Sequence, residues 1–157
     1  MGALGSRVMQ PPTENRPASV FVPFDPAEVD TCVPTRFEKI VRAHGAREAV
    51  TTAARTLTYD ALNACANRIA HEVLDRRGPT GEPVALLLDN DASMVSAIIG
   101  VLKAGKAYVP LDPRLPATRL AEIIEHARPG LILSDLAHLT EARRVMARRS
   151  RTIPLAP

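Results

Sequence analysis

The residues of this 157-residue chain that could do chemistry are few and scattered. His44, His71, His126 and His138 stand far apart, and none adjoins a Ser or Cys in a nucleophile motif. Cys32 and Cys65 have neither metal nor redox spacing, and two thiols make no disulfide framework. Asp89-Asn90-Asp91 could hold a cation by composition, but its spacing is not that of a calcium loop. Asp91 stands where a following helix would take its N-cap, so capping is the role expected there. Glu122 and Glu125 read as solvent-facing charges rather than an acid–base pair, and His126 as a solvated side chain. Lys103 and Lys106 flank Gly105 and could touch a phosphate. Lysine near a helix C-terminus is, however, expected from the helix dipole alone. The chain has no glycine-rich phosphate loop, no Walker pattern and no GxGxxG. These residues therefore assign no catalytic, no cofactor-binding and no metal-binding residue.

The elements that would position any site are better defined. From Met94 to Leu102 apolar side chains recur at helical spacing, with Val95 and Ile99 making that helix apolar nearly all round. Gly105 follows, where a left-handed residue closes a helix at little steric cost. Residues 107–109 read as a short strand ending at Pro110, which lacks an N–H for a ladder bond. Asp112-Pro113 is a turn pair, and Pro116 stands in the first turn of a helix over 116–127.

Upstream, residues 1–30 form a proline-rich leader with little periodicity. A helix is expected from Thr31 to Gly45 with Pro34 in its first turn, then two short strands at 49–52 and 55–58 around Ala53-Ala54. Thr58 is a natural N-cap for a helix over 59–77, whose buried stripe is Leu62, Ala66, Ile69 and Val73. The run 84–88 is an uninterrupted apolar strand, as in a parallel sheet covered on both faces. Further on come a strand at 131–133, a helix near 137–149 and a strand beginning at Thr152-Ile153. The alternation predicts α/β layering, a mainly parallel sheet with flanking helices joined by right-handed crossovers. The core is expected to be aliphatic, centred on Leu86, Leu88, Ile98, Val101, Leu102, Ile124 and Leu133.

Composition narrows the function classes. Hydrophobic residues make up 46% of the chain and the net charge is +3, which suits one soluble domain with a real core. Arg143, Arg144, Arg148, Arg149 and Arg151 form a basic cluster. No aromatics interleave with them for base stacking, so a solvated helix end is expected and no nucleic acid partner. No apolar run approaches a membrane span and no signal-peptide core is present, so no membrane association and a cytoplasmic address are expected.

The string LKAGKAYVPLDPRLPATRL, residues 102–120, closely resembles the second core motif of adenylation domains in nonribosomal peptide synthetases. LTYDALNACANRIA, residues 57–70, resembles the first core motif of the same adenylate-forming family. It departs at Ala61, where the family carries glutamate; that glutamate would complete a capping box, so the departure touches helix stability and not chemistry. The resemblance covers residues 31–157 and implies an AMP-dependent synthetase/ligase fold. It implies that a complete domain uses ATP and Mg2+ to convert an acid, here an amino acid, to an acyl-adenylate. A carrier-protein thiol then takes the acyl group.

In that family the triphosphate loop and the catalytic lysine lie in motifs downstream of these two, and this sequence contains neither. The resemblance thus implies an incomplete N-terminal subdomain, inactive alone, whose partners are the remainder of the adenylation domain and a carrier protein. The alternative is a stand-alone, non-catalytic scaffold or interaction module derived from it. An incomplete sheet would leave free edges at 84–88 and 131–133 and an uncovered apolar face, so self-association of the isolated chain is expected.

Overall fold

The structure, a computed structural model, describes residues 26–147 and 151–154. The leader expected over 1–30 therefore lies almost wholly outside the described residues, as does the end of the expected 137–149 helix. What is described begins with a 3-10 turn, Pro26–Glu28, whose Glu28 pairs with Arg36 (3.0 Å) and with Lys39. Helix α1, Val33–His44, starts two residues later than expected and carries proline in its first turn.

Strands β1 (Glu48–Thr51) and β2 (Thr56–Thr58) form an antiparallel hairpin. Its turn lacks glycine and is closed by Thr52, which accepts the Arg55 N–H on its hydroxyl at 3.1 Å and donates its own N–H to the Arg55 carbonyl at 2.9 Å. Helix α2, Tyr59–Arg77, has the bounds that the sequence predicts, with the Thr58 hydroxyl accepting the Ala61 N–H at 3.2 Å.

The remaining elements are β3 (Val84–Leu87), α3 (Ala92–Lys103), β4 (Tyr108–Leu111), α4 (Ala117–Ala127), β5 (Leu131–Ser134), α5 (Leu139–Met146) and β6 (Arg151–Pro154). The four strands β3 to β6 make one all-parallel sheet in the order β4-β3-β5-β6. Alternate residues of the strands serve opposite faces. On one face Leu86, Leu88, Leu131 and Leu133 pack with Ile69, Ala70 and Val73 of α2 and Ala97 and Val101 of α3. On the other, Ala85, Leu87 and Ile132 meet Leu120 and Ile124 of α4 and Ala142 of α5. Between β3 and β4 the chain steps one way across the sheet, and from β4 to β5 it steps back past β3. With crossovers of one hand, that reversal places α4 opposite α3.

Four expectations need correction. Pro110 does not end its strand but lies inside β4, opposite Leu86. Strand β4 pairs on one side only among the described residues, so the missing N–H can face the unpaired side. The strands expected to have free edges, β3 and β5, are the two inner strands, and the outer ones are β4 and β6. Both sheet faces are covered, not one, because α2 and α3 suffice for one side and α4 and α5 for the other. In the core, Ile98 and Leu102 are only partly buried, whereas Ser96 and Gly100 of the same helix are buried. The reason is that α3 lies against α2 through its small residues: a Cβ on Gly100 would stand 2.7 Å from Ile69. The other five expected core residues are buried.

Candidate functional site

The residues singled out for phosphate contact are committed elsewhere. Helix α3 ends in a left-handed Gly105 (φ 71°), with the Gly105 N–H on the Leu102 carbonyl (3.0 Å) and the Lys106 N–H on the Val101 carbonyl (3.1 Å). That turn sends the two lysines apart. Lys103 points toward α1, where it binds Glu38 at 2.5 Å and lies 5.9 Å from the Phe37 ring centroid. The hydrogen bond from Lys103 holds the Glu38 carboxyl below its ordinary pKa. Lys106 is buried (3% exposed) and donates to the Thr80 carbonyl and, at 3.4 Å, to the Thr80 hydroxyl. It ties the loop before β3 to the start of β4.

The loop after β4 is organised by Asp112. Its Oδ1 accepts the Arg114 N–H at 3.0 Å and its two oxygens take Arg114 Nε (2.9 Å) and a terminal nitrogen (2.8 Å). The Arg114 side-chain hydrogen bonds, followed by its backbone N–H, pull the Asp112 pKa down to about 2. Glu122, Glu125 and His126 are exposed, as the sequence predicts, and Glu122 pairs with Arg119 at 2.8 Å.

Asp91 is the cap of α3: its Oδ1 accepts the Ser93 N–H at 2.7 Å and that of Met94 at 3.4 Å. Asp89 takes no part in that cap. It lies 3.1 Å from His138 Nε2, on the far side of the β3–β5 junction. Asp135, just past β5, accepts the His138 N–H at 2.8 Å, and its other oxygen is 4.0 Å from Nε2. Sequence reasoning missed this grouping because Asp89 and His138 are 49 residues apart and meet only through parallel pairing of β3 with β5. The remaining histidines, His44 and His71, are exposed and isolated from it, and Cys32 and Cys65 are free thiols. Cys32, at the start of α1, is lowered in pKa by its hydrogen bond with Thr35. Among the described residues no helix is long and apolar enough to cross a membrane.

Comparison with known proteins sets this geometry in a family. Residues 37–155 match the family model described as AMP-binding enzyme. The chain is 37% identical over 109 residues to a PKS-NRPS hybrid synthetase of Aspergillus candidus, covering 69% of this chain and 4% of that protein. It is 38% identical over 110 residues to surfactin synthase subunit 2 of Bacillus subtilis, covering 70% and 3%. The chain thus spans only a small part of the curated relatives it matches. Among solved structures, the nonribosomal peptide synthetase FmoA3 with α-methyl-L-serine-AMP bound aligns at a TM-score of 0.66 and 31% identity, over 69% of this chain and 12% of that one. Both motifs, residues 57–70 and 102–120, fall within the matched residues, and the chain belongs to the AMP-binding enzyme family.

Proposed function

We propose that this chain supplies the first α/β unit of an amino-acid-activating, acyl-adenylate-forming ligase of nonribosomal peptide synthesis, and that it forms no adenylate by itself. The observation carrying this reading is the run 102–120, laid out as the end of α3, a left-handed turn, β4, a loop and the start of α4. It lies in a fold shared with a synthetase that binds an amino-acyl adenylate. ATP and Mg2+ would serve the complete domain. The two lysines that could touch a phosphate have partners within this unit, Lys103 in Glu38 and Lys106 in Thr80, which supports placing the triphosphate contacts elsewhere in the complete domain. No step of adenylate formation is therefore routed through them. The unit's role is to present its sheet and loops to the rest of the adenylation domain, which hands its product to a carrier-protein thiol in the cytoplasm. ATP–pyrophosphate exchange by the purified chain, across the amino acids, tests the negative half. No exchange above buffer is expected, and substrate-dependent exchange overturns it.

One observation favours a second reading, a stand-alone non-catalytic module. Both faces of the sheet are covered by helices, and the outer strands β4 and β6 each contain a proline, Pro110 and Pro154. Proline on an edge strand discourages pairing with another chain. Light scattering and hydrophobic-dye binding separate the two. Association through an outer strand is expected of a part awaiting the rest of its domain, and a dye-silent monomer of a module.

A further inference from the structure

We propose that Asp89, Asp135 and His138 form a binding site for a first-row divalent cation, Mn2+ or Zn2+ in class, bridging the carboxyl ends of β3 and β5. One donor atom from each residue lies within 4.8 Å of the other two, the one such group among the described residues. Nε2 of His138 is 3.1 Å from Asp89 Oδ1 and 4.0 Å from Asp135 Oδ2. Metal–ligand bonds of about 2.0–2.2 Å span donors at these separations with small side-chain rotations. Asp135 is divided in function: Oδ1 accepts the His138 N–H at 2.8 Å, which fixes the loop and leaves Oδ2 turned to the imidazole. Two carboxylates with one imidazole suit manganese or zinc better than an all-oxygen cation such as magnesium.

Topology points to a ligand at the same place, independently of these side chains. The connection leaving β3 runs to β4 on one side, and the one leaving β5 runs to β6 on the other. The carboxyl ends of β3 and β5 are therefore the sheet's switch point, where diverging loops open a crevice and open α/β sheets bind their ligands. His138 and Asp135 are partly buried there, with side chains 21% and 29% exposed, and Asp89 is the most exposed of the three at 69%. The bland alternative is that Asp89 and His138 are an ordinary surface pair. It predicts no metal dependence of either residue.

The test is titration of the metal-stripped full chain with MnCl2, following free Mn2+ by electron paramagnetic resonance and the melting temperature by calorimetry. ZnCl2 serves as competitor and MgCl2 as control. One Mn2+ per chain is expected, displaced by Zn2+, raising the melting temperature and broadening the amide resonances of residues 89, 135 and 138. Asp89→Asn and His138→Gln should each weaken binding at least tenfold. Asp89 is exposed, so Asp89→Asn keeps the metal-free melt of the parent and decides the matter even if His138→Gln misfolds. Binding that is absent up to millimolar Mn2+, equal in Asp89→Asn, or no tighter than that of Mg2+ overturns the proposal.

Discussion

Gly100 of α3 and Ile69 of α2 approach so closely that a Cβ on the glycine would stand 2.7 Å from the isoleucine Cβ and 2.9 Å from the Ala66 carbonyl oxygen. The two helices that cover one sheet face are thus in near-backbone contact. Alanine is the better helix former by about 1 kcal/mol. Against that gain, the methyl group meets a backbone atom that can move only with its helix. Gly100→Ala is expected to lower stability by about 1–3 kcal/mol, as overpacking does. Urea unfolding checks this, and a stabilised variant would show that the helices slide apart without cost.

Val101, at 0% exposure, lies between α2 and the sheet. An aspartate there is an unpaired buried charge costing several kcal/mol, comparable with the whole stability of about 5–15 kcal/mol of a small domain. Val101→Asp should leave no cooperative melt by circular dichroism. A parental melt would contradict the burial of α3.

Much of this architecture is legible in the sequence where local chemistry decides it. Helix α2 begins and ends where Thr58 and Gly78 say it should, and Asp91 caps α3 as its position before the helix implies. Local chemistry misleads at Pro110, because whether a proline ends a strand depends on whether both sides must pair, and that is settled by strand order. The same limit hid the triad. Asp89, Asp135 and His138 are unremarkable in their own segments and acquire a relationship only once β3 lies beside β5. Burial of Ser96 and Gly100 in place of Ile98 and Leu102 reflects the closeness of α2, which no periodicity encodes.

The Asp112–Arg114 clasp gives a pH signature. Asp112 is held at about 2, below the usual aspartate value of about 3.9. A carboxyl depressed by folding adds stability above its unfolded pKa, and that stability is lost as pH falls through its folded pKa. The contribution is thus in place above about pH 4 and gone below pH 2. Carboxyl carbon shifts followed by NMR should put the Asp112 midpoint near 2, and Arg114→Ala should return it toward the usual value. A midpoint near 4 in the parent chain would show the loop to be open in solution.

Arg128 closes α4 in the left-handed region (φ 48°), its N–H on the Ile124 carbonyl at 2.9 Å. Glycine adopts that conformation without the Cβ penalty. Arg128→Gly is expected to stabilise the chain by about 0.5–1 kcal/mol. Calorimetry checks it, and a lower melting temperature would mean that the arginine side chain contributes more than its backbone costs.

The central claim is that this chain is the first unit of an adenylating ligase, supplying framework and not the reacting groups. It is tested most directly by exchange of parts. Residues 31–157 replace the matching segment of an active adenylation domain, and amino-acid-dependent ATP–pyrophosphate exchange is measured beside the parent domain. The account predicts exchange within about an order of magnitude of the parent, with the parent's amino-acid preference unchanged. A chimera that folds yet exchanges nothing, or that changes which amino acid is activated, would contradict it.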